Sequence, residues 1–264
     1  MRYDHHQREF EETFSPQHTV TKLSASGLVY KHYGKDIIKA HYPLLSTDHL
    51  ELAYKKMYKS FMEAIDAIDT GVEVCEKPAY KDATGLSARV ARLNSRWNED
   101  PATTPSQDER FEVASALCGQ DFLNVLEPLV ESSIPAYQYV EQAVVERHLV
   151  DASGEIIKLS SGGMPWKSHL YDLERKHSVE PLIKFVLYTD ETGMWRVQAV
   201  SEEHAGFTNR LSLPEAWRGV RDADLESIAG IPGCTFCHKA GFIGGNINYE
   251  GALSMAKSAL ATQN

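Results

Sequence analysis

At 264 residues, with 42% hydrophobic and 24% charged residues, the chain can build one large globular domain or two smaller ones around a real apolar core. Its formal net charge of −10 excludes a broad, sequence-blind grip on nucleic acid, which needs an excess of Lys and Arg, but leaves room for a local basic groove. No apolar run reaches transmembrane length, so no membrane contact is expected. The N-terminus lacks an h-region and is too acidic for a mitochondrial presequence, and four cysteines are too few for a disulfide framework, so a reducing compartment is expected.

The chain opens MRYDHHQREF. Carboxylate and neutral imidazole in a row, as in Asp4-His5-His6, suit Mn, Zn, Fe or Mg sites; a solvated terminus is the other reading. In SASGLVYKHYGKDIIKAH, Leu28, Val29, Tyr33, Ile37 and Ile38 recur at helical spacing, with Ser24 or Ser26 as cap. A second helix is predicted from Thr47 to Ile68, its stripe running through Leu50, Ala53, Tyr54, Met57, Phe61, Ala64 and Ile65, with Gly71 as its stop. LSARVARLNSRW reads as a short helix and NEDPATTPSQDE as a surface loop. Helices follow over about Asp108–Leu126 and Ile134–Leu149, and DASGEIIKL reads as a turn into a strand.

From there the texture changes, and a domain boundary is expected near residue 150, with 1–150 helix-rich and 151–264 mixed. LIKFVLYTDETGMWRVQAVS predicts a β-hairpin across an acidic, Gly-containing turn. GIPGCTFCHKAGFIGG predicts an apolar strand entering a Gly-rich turn, and YEGALSMAKSALA a closing helix. There is no internal repeat.

Several groups could carry chemistry. Asp66 and Asp69 lie one helical turn apart at a helix C-terminus, where the dipole disfavours anions; a bound cation would relieve the pair, and an exposed acidic helix end is the alternative. Arg89, Arg92 and Arg96 share roughly one helix face, as contacts to an RNA backbone or as partners for the chain's own carboxylates; Arg210, Arg218 and Arg221 invite the same two readings. Trp166, Trp195 and Trp217 could stack bases or pack a core. Cys234-Thr-Phe-Cys237-His238 spells a c-type haem site, but it lies in an apolar strand without a signal peptide, so no haem is expected. Strict alternation would put Cys234, Phe236 and His238 on one face and Cys237 on the other, which disfavours a shared zinc.

The segments RYDHHQREFEETF, TKLSASGLVYKHYG, LSARVARLN, GEIIKL, PWKSHLYDLE, LPEAWRG and GIPGCTFCHKAGFIGG…EGALSMA, in this order, closely resemble the Myg family (melanocyte-proliferating-gene-one proteins) of the DHH phosphoesterase superfamily, from Tyr3 to about Leu260. The resemblance implies an α/β fold: a parallel α/β metal-binding domain followed by a smaller mixed α/β DHH-associated domain that grips substrate phosphates. It implies a metal-dependent 3′-to-5′ exonuclease acting on RNA in nucleus and mitochondrion, with two Mn or Mg ions. His5 would ligate metal, His6 would face the scissile phosphate, Asp4 would support the pair, and Asp69, or else Asp66, would complete the ligand set. Substrate contacts are expected from Arg89, His238, Gly244, Gly245 and Asn246.

The sequence departs from that pattern twice. The family's first metal motifs lie upstream of the triplet, where only Met1–Tyr3 precede Asp4, so the chain is expected to be a truncated, mis-started or fragmentary form that does not hydrolyse phosphodiesters unaided. The Gly-Gly-His signature reads Gly244-Gly245-Asn246, which keeps a candidate anion turn but loses the imidazole. A non-catalytic RNA- or protein-binding remnant and a small-nucleotide phosphohydrolase are the competing expectations. Oligomeric state is not legible.

Overall fold

The computed structural model describes residues 3–262. The chain divides into two compact units, Met1–Ile134 and Pro135–Asn264. The expected boundary was near residue 150; the segment between the two positions lies in the second unit because Val140, Ala143 and Val144 are buried with that unit's strands and helices.

In the first unit the regular elements are α1 (Ala25–His41), α2 (Thr47–Met57), α3 (Glu63–Thr70), α4 (Leu86–Ala91) and α5 (Gln107–Pro128). The resemblance implies a parallel sheet here; among the described residues of this unit there is no strand. Serine and glycine caps bound these helices. Ser24 caps α1, Ser106 and Glu109 form a capping box on α5, and Gly71 ends α3 in the left-handed conformation at φ 77°.

The predicted second helix runs from α2 into α3 through a π-helical turn at Tyr58–Met62. A straight α-helix has about 3.6 residues per turn, so positions eight apart drift off one line; the wider π turn restores the alignment of Tyr58 with Asp66. Around this turn lies an aromatic core. Phe14 stacks on Tyr58 at 3.7 Å between centroids and Tyr30 on Tyr54 at 5.2 Å.

Beneath that core Asp66 is fully buried. Its Oδ1 accepts from the Ser24 backbone amide (3.0 Å) and the Ser24 hydroxyl (2.6 Å), and its Oδ2 accepts from the Tyr58 hydroxyl (2.9 Å). The Ser24 hydroxyl in turn accepts from the Gly27 amide. A buried carboxylate is tolerated here because three donors satisfy it and the positive end of α1 faces it. Gly27 is obligatory at this spot, since a Cβ there would overlap the Asp66 carboxylate.

The second unit begins with α6 (Ile134–Val145) and α7 (Arg147–Val150), followed by β1 (Ile156–Lys158), α8 (Lys167–His177), β2 (Phe185–Thr189) and β3 (Trp195–Ala199). A small ribbon of β4 (Ser201–Glu202) and β5 (Ala205–Asn209) precedes α9 (Asp222–Ala229), β6 (Cys234–Cys237), β7 (Ile243–Asn246) and α10 (Tyr249–Ala261). The main sheet has the order β1-β2-β3-β7-β6; β1 and β2 are parallel and the other pairs antiparallel. The hairpin forms as predicted, with Leu187 opposite Val197.

Period-two alternation splits the strands between two cores. Ile156, Phe185, Leu187 and Val197 pack with α9 and α10, while Ile157 and Val186 pack with α6 and α8. Trp217 is buried in the first of these cores and Trp166 in the second; Trp195 packs half-buried against Tyr249. Arg210 forms a buried bidentate pair with Glu174 (2.7 and 2.9 Å) and also donates to the Ile183 carbonyl, tying the segment after β5 to α8.

Two corrections concern the predicted strand and turn. Gly244 and Gly245 are not in a turn; they lie inside β7, and the turn occupies His238–Gly241, closed by the Gly241 amide on the His238 carbonyl. Cys234 and Cys237 do not fall on opposite faces, because β6 carries a bulge between Cys234 and Phe236 and both sulfurs enter the same core. Burial raises both thiols, Cys237 to about 11, which leaves them unreactive.

Two outcomes test the first unit. Gly27→Ala is expected to lower stability by about 1–3 kcal/mol through overpacking, and Asp66→Ala by about 3 kcal/mol through stranding of its donors, both read as midpoint shifts in urea melts. Burial, foremost, raises the phenols of Tyr30, Tyr54 and Tyr58 above the ordinary 10.0, Tyr54 to about 12. Their neutral forms belong to the folded state, so stability is fully present below pH 10 and falls as pH rises through the folded values. Absorbance at the phenolate band should show these three ionising only with loss of helix signal.

Candidate functional site

The free amides at the start of α1 organise two side chains. The Ser24 amide and hydroxyl engage Asp66, and the Ala25 amide donates to Nδ1 of His5 at 3.2 Å. His5 is thereby held, 13% exposed, with Nε2 toward Asp69 Oδ2 at 3.7 Å. Asp69 sits in the last turn of α3, half-exposed at 53%. The tight turn at the N-terminus is made by Asp4, whose Oδ1 accepts from the His6 amide at 3.0 Å. The His6 ring lies 4.0 Å from the His5 ring and 3.4 Å from Asp4, and it is solvent-exposed.

The structure thus brings together Asp4, His5, His6 and Asp69. It sets Asp66 one helical turn below, enclosed and with both oxygens engaged, where it anchors α1. Of the two carboxylates read as a possible ligand pair, only Asp69 presents an oxygen toward His5 and solvent.

The donor chemistry of this group can be compared with the needs of a divalent ion. Acceptance from the Ala25 amide leaves the His5 proton on Nε2, the nitrogen that faces Asp69. A ligating imidazole has the opposite arrangement: a bare Nε2 on the metal and an Nδ1–H that donates to an acceptor. Ligation through Nε2, the nitrogen beside Asp69, therefore requires the Ala25 bond to open and the ring tautomer to change. Among the described residues no group of three or more His, Cys, Asp or Glu side chains is arranged to hold an ion. A hard cation with about six ligands is not held by His5 and Asp69 alone. The residues in hand do not fit a metal by themselves.

The remaining predicted contacts are placed as follows. Arg89 pairs with Asp121, Arg92 donates to the Ala83 carbonyl, and Arg96 pairs with Glu99, so each guanidinium has a partner in its own unit. In the second unit His238 is exposed in the β6–β7 turn; its Nδ1 accepts from the Ala240 amide and its ring packs edge-on against Phe242.

Asn246 is fully buried. Its amide nitrogen donates to the Pro232 carbonyl at 2.9 Å, and its oxygen accepts from the Asn248 amide at 3.1 Å. Gly251 leaves room for it, since a Cβ there would overlap the Asn246 side chain. Asn246 plugs the corner between β7 and α10, and Asn248 is the residue that caps α10. The helix start expected to cradle an anion is thus closed by side chains.

Sequence reasoning missed the role of Tyr58, which packs as an aromatic but matters for its hydroxyl. Burial, then the bond to Asp66, raises its phenol, so it stays a donor above the pH at which an ordinary tyrosine ionises. No short-range pattern marks it; the π turn that aims it is a tertiary outcome. The signal for the α1 hub was partly present, since Ser24 was a candidate cap.

A model of the MYG1 exonuclease family, described as an uncharacterised protein family (UPF0160), matches residues 1–260. A Mus musculus protein named MYG1 exonuclease is 47% identical over 98% of this chain and 70% of its own length. The Homo sapiens MYG1 exonuclease is 46% identical over 98% of this chain and 70% of its own length. A Saccharomyces cerevisiae MYG1 protein is 43% identical, covering 98% and 78%. No solved structure matches. By the near-complete match to the family model and the identity to these relatives, the chain belongs to the MYG1 family.

Proposed function

We propose that this chain serves a nuclease-type function, as a hydrolase of RNA phosphodiesters that works from the 3′ end and depends on Mn or Mg. Support at the family level comes from relatives named MYG1 exonuclease, which share nearly half of its residues. The observation in the structure that carries it is the meeting of His5 with Asp69, residues far apart in sequence, at the N-terminus of α1. His5 and Asp69 bring together an imidazole and a carboxylate, two donor types that a divalent-ion site uses once other donors join them.

The reading assigns His5 and Asp69 to the reacting centre, His6 to the approach of the phosphate, and Asp4 to holding the turn. Because the two donors do not hold an ion, the reading calls for further donors from outside the described residues. Membership of the DHH superfamily, and action in nucleus and mitochondrion, belong to the same proposal. The Ala25 amide held by His5 Nδ1, a bond that ligation would have to break, favours a second reading, a binding protein without catalysis, and the same experiment separates the two.

Short oligoribonucleotides and cyclic dinucleotides should be incubated with manganese and either this chain or a version extended upstream. The expected result is 3′-end shortening of RNA by the extended form and little by the short one. In the extended form, His5→Ala or Asp69→Asn should cost about 10–100-fold in rate. Equal activity of both forms would sink the requirement for outside donors. Turnover confined to dinucleotides would establish the small-nucleotide reading, and no turnover of either would leave the binding protein.

A further inference from the structure

The ribbon of β4 and β5 stands apart from the main sheet of the second unit. Glu202 is opposite Ala205 across the turn at Glu203 and His204, yet the next pair is Ser201 with Asn209. Gly206, Phe207 and Thr208 therefore have no counterpart on β4 and form a bulge. Phe207, at its centre, is 106% exposed, the most open large apolar side chain among the described residues. A bulge that holds a phenyl ring wholly in water leaves a large apolar surface without a partner.

Beside the ribbon the surface is hollow. A cleft of about 430 Å³ lies between the end of α8, the segment that follows it and the ribbon; Tyr171, Val179 and Leu182 give it apolar wall, and Arg175, Glu203 and Arg210 are among its polar lining. An apolar hole of about 150 Å³ already takes a benzene ring. Phe207 is four residues from Glu203 and three from Arg210, so chain reach puts it within about 14 Å of both. Knob and hollow thus share one surface, but the exposed ring does not enter its own cleft. Charge is divided the same way. From Ser201 to Asn209 the ribbon carries Glu202 and Glu203 and no Lys or Arg, whereas the last turn of α8 carries Arg175, Lys176 and His177. Within one chain these two sides already meet, Arg175 Nη1 lying 2.6 Å from Glu203 Oε2. An exposed pair of this kind is worth little where it stands and exchanges readily for an equivalent one.

We propose that this face joins two copies of the chain about a two-fold axis, the Phe207 ring of each seated in the cleft of the other. The acidic ribbon of each copy then lies on the basic end of α8 of the other, with Glu203 exchanging Arg175 of its own chain for the same residue of the second copy. A two-fold contact uses one patch twice, and a knob beside a hollow makes such a patch self-complementary. Two phenyl rings of about 150–250 Å² each bury less than the roughly 1,000 Å² of a permanent interface, so the dimer is a weak one that forms and parts at micromolar concentration. None of the residues assigned to the reacting centre takes part.

The test is sedimentation velocity of the full chain from about 1 to about 200 µM, a span around the affinity that such an area supports. The parent chain should pass reversibly from monomer to dimer. Phe207→Ser, a change at a fully exposed side chain, should raise the dissociation constant about 100-fold, since each dimer loses two buried rings worth at least about tenfold apiece. Leu182→Lys, which puts a charge in the cleft, should weaken the dimer by about tenfold or more, and Phe207→Trp should keep it. A parent chain that stays monomeric throughout, or a dimer indifferent to Phe207→Ser, would overturn the proposal. So would dissociation by Phe207→Ser without any effect of Leu182→Lys, because the ring would then be seated elsewhere. The melting midpoint of the dilute monomer should be the same in Phe207→Ser as in the parent; a drop there would show the ring packing within its own chain and would remove the second copy as its partner.

Discussion

A carboxylate with no access to water sits at the centre of the first unit, and its survival there constrains everything around it. Asp66 stays buried because Ser24 and Tyr58 supply three donors and because the positive end of α1 lies against it. Each support has its own precondition. Ser24 must cap α1, Tyr58 must be swung onto the line of Asp66 by the π turn, and position 27 must lack a side chain. A change at any of the three exposes the others to an unsatisfied charge, which couples α1, α2 and α3 more tightly than apolar packing would.

The same helix start connects that core to the candidate site. Four amides at the beginning of an α-helix lack partners within it. At α1 one is taken by Asp66, another by the Ser24 hydroxyl and a third by the His5 ring. His5 is thus oriented by backbone rather than by a neighbouring carboxylate, and that choice decides its tautomer. To ligate a metal through Nε2, His5 must exchange the Ala25 amide for an acceptor.

In the second unit, two glycines in mid-strand are the counterpart of that hub. Strand interiors disfavour glycine unless something approaches closely. Gly244 lies against Met255 and Leu213 on the core side, and Gly245 lies under Arg196 and Phe236 on the other. β7 is an interior strand between β3 and β6, so both faces are crowded and neither position has room for a side chain. The bulge in β6 adds the complementary adjustment, sending both cysteines inward and Thr235 with Phe236 outward.

What the sequence by itself determined were the local, short-period features. The helix at Ala25–His41 with a serine cap, the Gly71 stop, the hairpin at Phe185–Ala199 and the closing helix at Tyr249–Ala261 follow from periodicity and capping chemistry, which act within a few residues. The ordered segments also sufficed to place the chain in its family.

Only the tertiary structure decided which acidic residue is buried. Asp66 and Asp69 look alike in sequence, yet the π turn sends one beneath α1 and leaves the other beside His5. It likewise decided that Gly244 and Gly245 are strand rather than turn and that Cys234 and Cys237 share a core. Each of these depends on a register or a bulge set by strands distant in sequence, and a one-residue shift in a period-two strand moves a side chain to the opposite face.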